Sequence, residues 1–106
     1  MQKTKKITKS IAALEHAYNE ERWADVIEQY GVAASHSEQV ESNTHLMVKL
    51  AKAQLQTRKH QDAVRTCTTE LASDPNSYAA LLWRGEAYLM QDDFQLALQD
   101  LNAARQ

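Results

Sequence analysis

The chain has 106 residues, 43% hydrophobic and 25% charged, with a net charge of −2 at pH 7. That is the composition of one small globular domain, and it excludes a disordered or collagen-like polypeptide. Two Gly and one Pro are too few for the turns of a β-sandwich or barrel, so helices with short connections are expected.

The slightly acidic balance leaves no electrostatic footprint for nucleic acid or an anionic membrane. No run of about 18 apolar residues is present, so no membrane insertion is expected. The single cysteine, Cys67, excludes a disulfide framework and a zinc site built from several thiolates.

The first ten residues carry Lys3, Lys5, Lys6 and Lys9. They resemble the start of a secretion signal, but Glu15 and His16 interrupt the apolar stretch that follows. Residues 1–7 are therefore expected to form a basic, flexible segment. Ile11, Leu14, Ala17 and Tyr18 then predict one helix, and Trp23, Val26, Ile27 and Tyr30 its partner. A polar stretch runs from Ser35 to Asn43. Leu46, Val48, Leu50, Ala53 and Leu55 predict the next helix, Thr57 to His60 a turn, and Ala63, Val64, Cys67 and Leu71 another helix. Asp74-Pro75-Asn76-Ser77 is a stop followed by a start, with Ser77 as N-cap. Leu81, Leu82, Gly85, Tyr88 and Leu89 then share helical spacing. Gln91-Asp92-Asp93 breaks it, and Phe94, Ala97, Leu98, Leu101 and Ala104 form the last stripe.

These helices repeat. A shift of 34 residues lays Met47 on Leu81, Ala53 on Ala87, Leu55 on Leu89, Ala63 on Ala97 and Cys67 on Leu101. A shift of 37 lays Leu14 on Ala51, Trp23 on His60, Val26 on Ala63 and Tyr30 on Cys67, the extra three residues falling between Ser35 and Asn43. Three helical hairpins are thus expected, over about 8–39, 42–74 and 76–106. Two antiparallel helices approach closely only where a small side chain faces a bulky one. Gly85 and Ala97 are placed at that approach, with Tyr88 and Phe94 filling the space beside it.

Leu81, Gly85, Tyr88, Phe94, Ala97, Leu101 and Ala104, with Pro75 ending the preceding unit, stand where the signature residues of the tetratricopeptide repeat (TPR) stand. The middle unit keeps Met47, Leu50, Ala51 and Ala63 but has Gln54 in place of an aromatic residue. The first unit keeps Leu14, Trp23, Val26, Tyr30 and Ala33. The resemblance implies an all-α, right-handed solenoid of three helix-turn-helix hairpins. The pattern from Cys67 through Pro75 to Arg84-Gly85-Glu86-Ala87-Tyr88-Leu89 also resembles the repeat region of endoplasmic-reticulum co-chaperones that join TPRs to a J domain. That resemblance implies a non-catalytic part of a longer protein that holds unfolded or extended client polypeptide. Hsp70 would be reached indirectly, through a J domain absent from this chain. The compartment would be the endoplasmic-reticulum lumen; otherwise the chain is cytoplasmic.

In such arrays the first helix of each hairpin lines a concave groove. On that pattern the groove takes Ile11, Glu15 and Tyr18 from the first unit, and His45, Val48, Lys52 and Leu55 from the second. Ala79, Leu82, Glu86, Leu89 and Met90 come from the third. An apolar floor with adaptable side chains suits an extended hydrophobic peptide; the bland alternative has Val48 and Leu82 packing between hairpins. The competing family mode, a carboxylate clamp for Hsp70 or Hsp90 tails, needs cations at positions that here read Ile11, Glu15, Lys49, Ala79 and Trp83. An assembly adaptor that self-associates through the last helix is the remaining alternative, because Leu96, Leu98 and Leu101 point at different angles. Trp83 is either an inter-hairpin core residue or an exposed contact.

No cofactor, metal or catalytic residue is predicted. His16, His36, His45 and His60 form no H-x-x-x-H pair. Cys67 occupies a core position and reads as a buried thiol. Asp92, Asp93 and Asp100 read as capping and solvated carboxylates.

Overall fold

The computed structural model describes the backbone of residues 2–41 and 43–105. Residue 106 and the side chains of Lys3 and Lys5, singled out above, lie outside the described part. The described elements are all helical. In chain order they are α1 (Gln2–Asn19), α2 (Trp23–His36), the single-turn α3 (Glu38–Glu41), α4 (Thr44–Gln56), α5 (His60–Ser73), α6 (Tyr78–Met90) and α7 (Phe94–Arg105). Three antiparallel hairpins, α1/α2, α4/α5 and α6/α7, stack into a body measuring 47 × 25 × 19 Å.

Each hairpin turn uses the same backbone device. The amide of Arg22 donates to the Ala17 carbonyl at 2.8 Å, that of Lys59 to Gln54 at 2.7 Å, and that of Asp93 to Tyr88 at 2.9 Å. The amides of Glu21, Arg58 and Asp92 donate to Tyr18, Leu55 and Leu89, each at 3.1 Å. This pair of bonds closes a helix whose next residue turns left-handed. Glu21, Arg58 and Asp92 accordingly have φ of 59°, 63° and 60°. Their spacing along the chain reproduces the repeat shifts read from the sequence. None of the three is glycine, so each turn carries the steric cost of an L-residue in that region. The starts are capped where the sequence provides a cap: Ser77 accepts from the Ala80 amide and Asn43 from the Leu46 amide.

Small residues set the hairpin spacing. Ala33, Ala53, Ala63, Ala87 and Ala97 are all fully buried. Gly85 is required at its position, since a Cβ there would lie 2.9 Å from both Cγ and Cδ2 of Leu101 and 3.5 Å from the Ala97 carbonyl oxygen. Phe94 departs from expectation. It is 63% exposed rather than packed beside Gly85, where Leu101, two turns further along α7, takes the contact. Tyr88 is half-buried. Leu96 and Leu98 are also exposed, whereas Leu101 covers Gly85.

Two boundaries differ from the sequence reading. Residues 2–7 extend α1 backwards instead of forming a flexible segment, so the limit placed at residue 8 falls inside a helix. The polar stretch between the first two units folds into α3, whose Val40 is buried in the first core cluster with Leu14, Val26 and Leu46. This insert spreads the first two hairpins: α4 packs closely along α6 but touches α1 far less.

Candidate polypeptide-binding groove

The candidate groove residues lie on the first helices of the three hairpins, α1, α4 and α6. Ile11, Glu15 and Tyr18 on α1 are half-buried, as are Val48 and Lys52 on α4 and Ala79 and Leu82 on α6. His45, Glu86, Leu89 and Met90 are exposed. Leu55 is not available to a ligand. It is 2% exposed and packs with Ala63 and Ala87, because its face of α4 turns towards α5 and α6 rather than outward.

Where α1 and α4 stand apart, long polar side chains bridge them. The Glu15 carboxylate lies 3.6 Å from the Lys49 ammonium and 4.0 Å from His45 Nε2. Lys49 Nζ also sits 5.2 Å from the centroid of the Tyr18 ring. Lys52 enters a cluster of three rings, with its Nζ 5.4 Å from Tyr18, 5.4 Å from Trp23 and 5.7 Å from Trp83. Tyr18 and Trp23 meet edge to face at 5.5 Å and 82°. Cation–π attraction is worth about 0.5–2 kcal/mol per contact, more as water is excluded, so Lys52 ties all three hairpins together. The sequence reading placed Tyr18 and Lys52 in the groove but gave no groove role to Trp23. A lysine and an aromatic residue facing each other across neighbouring repeats is the signal that could have found it. Trp83 proves to be both things at once: it packs against two core clusters and turns one ring face to Lys52.

At the other end of α1, nothing fills the gap. A cleft of about 830 Å³ opens there, lined by Ile7, Ile11, Ala34, Val40 and Leu46 and equally by Ser35, His36, Ser37, Gln39 and Asn43. No Asp, Glu, Lys or Arg lines it among the described residues. Val40 and Leu46 are nearly inaccessible and form the floor, while Ile11 belongs to both the cleft and the groove stripe.

Other polar groups serve packing. Asp100, expected on a solvated face, is 6% exposed. It accepts from Arg84 Nε at 2.7 Å and Nη2 at 2.8 Å, and Arg84 Nη1 donates to Thr68 Oγ1 at 3.3 Å. The carboxylate raises the guanidinium pKa above its usual value, against the smaller opposing effect of burial. Buried Glu70 accepts from Thr44 Oγ1 at 2.8 Å, and Gln54, the departure from the family aromatic, accepts from Thr66 Oγ1 at 2.8 Å. Cys67 is buried, and desolvation pushes its thiol from 9.0 up to about 12. Among the described residues no cluster of three His, Cys, Asp or Glu could hold a metal, and no helix is long and apolar enough to cross a membrane.

Comparison with known proteins places this arrangement. The tetratricopeptide repeat family model matches residues 48–106. The chain belongs to the tetratricopeptide repeat family. Over 106 residues this TPR chain is 30% identical to the DnaJ homolog subfamily C member 3 homolog of Dictyostelium discoideum, covering 95% of this chain and 20% of that protein. It thus spans about a fifth of the length of the curated relatives it matches. The crystal structure of the P58(IPK) TPR domain superposes with a TM-score of 0.84 at 27% identity, covering 98% of this chain and 29% of that one. The second TPR domain of Spaghetti (RPAP3), bound to an HSP90 peptide, superposes with a TM-score of 0.80 at 21% identity, covering 97% and 94%. That last likeness is one of fold. The TPR chain is therefore an all-α solenoid of the kind that serves as a protein-interaction module, similar to the repeat regions of DnaJ C-type co-chaperones.

Proposed function

We propose that this TPR module holds unfolded or extended client polypeptide for a J-domain co-chaperone of the endoplasmic-reticulum lumen. The client would pass to Hsp70 through a J domain outside these 106 residues. The observation that carries the reading is the cleft bounded by α1, the end of α2, α3 and the start of α4, which shares Ile11 with the groove stripe and has no Asp, Glu, Lys or Arg among its described lining residues. A cleft that mixes aliphatic side chains with hydrogen-bonding ones accepts varied segments without selecting one sequence. The 30% identity to a DnaJ subfamily C member supports the same reading.

The groove is poorly equipped to grip a dicarboxylate tail. Of the positions a clamp would use, only Lys49 is cationic, and it is paired with Glu15 and 16% exposed. A second carboxylate would have to displace the first.

The test is suppression of aggregation of a chemically denatured reporter enzyme, alongside titration with the peptide SRMEEVD. The module should delay aggregation, Ile11→Asp should remove most of that effect, and the peptide should not compete. Tight SRMEEVD binding lost in Lys49→Ala, with no effect on aggregation, would reverse the assignment. A stable dimer by light scattering, disrupted by Leu98→Glu and inactive towards denatured protein, would favour a self-associating adaptor.

A further inference from the structure

Repeat equivalence sorts the accessible side chains of the three first helices into rows. The shifts of 37 and 34 residues lay Ile11 on Val48 and then Leu82, and Glu15 on Lys52 and then Glu86. The first set is an aliphatic row, half-buried in every hairpin. The second is a row of charges four residues further along each helix, a rise of about 6 Å. Contacts carry the charged row from helix to helix. Glu15 reaches Lys49 of α4 at 3.6 Å, and the Lys52 ammonium lies 5.4 Å from Tyr18 of α1 and 5.7 Å from Trp83 of α6.

Two members of the charged row are already engaged. Glu15 is paired with Lys49, and Lys52 is held against three ring faces. Glu86 is exposed, and among the described residues no Lys, Arg or His nitrogen lies within 4.0 Å of it. Leu82 stands one turn before it, and Met90, 48% exposed, one turn after. The exposure of Met90 belongs to this face, because its equivalents Asn19 and Gln56 are exposed as well. Leu89 belongs instead to the stacking surface, since its equivalent Leu55 is buried with Ala87 of the next hairpin.

A carboxylate between two apolar side chains suits a cation that brings its own aliphatic stem. Lys and Arg lay such a stem along apolar surface while the charged head reaches its partner. Packed helices stand about 8–10 Å apart, which an extended chain crosses in about three residues at roughly 3.3 Å each. A segment lying along the aliphatic row thus offers every third side chain to it and passes within one helical turn of Glu86.

We propose that this face selects extended segments in which a Lys or Arg adjoins a series of aliphatic residues, the cation pairing with Glu86 and the aliphatic side chains resting on Val48 and Leu82. This deepens the client-holding reading and rests on it. It adds a sign to that reading: basic apolar segments are held longest, and acidic ones are disfavoured. An acidic segment meets two carboxylates in the row, and both neighbouring ammonium groups are already engaged.

The test uses acetylated and amidated Ser/Ala peptides carrying an uncharged fluorophore, with Leu at every third position. One residue beside the last Leu is Lys, Gln or Glu. Fluorescence anisotropy in about 50 mM salt should show the Lys peptide binding at least about fivefold tighter than the Gln peptide, with the Glu peptide weakest. The gap should shrink at about 0.5 M salt, where exposed charges are screened. Glu86→Gln should abolish the Lys-over-Gln preference and keep the need for Leu. Leu82→Ser should weaken all three peptides and keep the preference, and Glu15→Gln should also keep it. Equal binding of the Lys and Gln peptides, or a preference that survives Glu86→Gln, overturns the proposal. So does a dimer seen by light scattering without peptide and lost in Leu82→Ser, which would make a second copy the occupant. The three-peptide comparison on the unaltered protein stays decisive if a variant fails to fold. Denatured reporter enzyme is titrated in parallel. If it binds while the peptides show no preference, the charge selection fails and the client-holding function stands; if it does not bind either, both fail.

Discussion

Replacing Arg84 with Met is expected to destabilise the protein by about 2–3 kcal/mol. Asp100 is 6% exposed and takes two charge-assisted bonds from that one guanidinium, at 2.7 and 2.8 Å. Removing one partner of a buried pair leaves an uncompensated charge and costs about 3–5 kcal/mol in well-sealed sites. The Arg84 side chain is 21% exposed, so water can reach the orphaned carboxylate and the lower end applies. Asp100→Leu should cost less, about 1 kcal/mol, since the guanidinium can turn outward while keeping Thr68 and the Tyr88 ring, 5.8 Å away. The double variant Arg84→Met/Asp100→Leu should return to within about 1 kcal/mol of the parent, because neither partner then leaves an unpaired charge at that site. Urea unfolding followed by circular dichroism at a fixed pH measures all three. For a domain of this size the single Arg84 change corresponds to a melting temperature lower by about 10–20 °C. Losses that simply add in the double variant, or a larger loss for Asp100→Leu than for Arg84→Met, would refute the reasoning.

Other changes probe the backbone and the core. Gly85→Ala gains about 1 kcal/mol of helix propensity but sets a Cβ 2.9 Å from Leu101; overpacking of about 1–3 kcal/mol should win, and a melting curve that rises would show the contact to be soft. Arg58→Gly should stabilise by about 0.5–1 kcal/mol, since Arg58 has φ 63° and glycine adopts that conformation freely; a lower urea midpoint would contradict it. The neutral Cys67 thiol is favoured in the folded state, where its pKa is raised from 9.0 to about 12. Its contribution is therefore complete below about pH 9 and lost as pH rises towards about 12. The unaltered protein should lose stability over that window faster than Cys67→Ala, as read from urea midpoints against pH. Iodoacetamide at neutral pH should label Cys67 far more slowly in native than in urea-unfolded protein.

The departures from the sequence reading share a cause. Asp100 looks solvated from its polar neighbours Gln99 and Asn102, and only its partner sixteen residues earlier on α6 explains its burial. Leu55 carries the same helical spacing as the other candidate groove residues, but it is buried in a cluster with Ala63 of α5 and Ala87 of α6. The basic start continues α1 because Ile7 reaches the first core cluster, a contact invisible from the lysine pattern.

The three hairpins, the turn within Thr57–His60, the break at Gln91-Asp92-Asp93, the Ser77 cap and the close approach at Gly85 were legible in the sequence. The turns and caps rest on hydrogen bonds within one or two turns of chain, and the hairpins and the Gly85 approach are marked by the repeat that lays small residues on small ones. Only the tertiary structure decided which faces stayed open. The cleft, the three rings around Lys52, the Glu15–Lys49 pair and the Arg84–Asp100 pair join residues from different helices. Their distances follow from how far α3 spreads the first two hairpins and how closely small residues let the others approach.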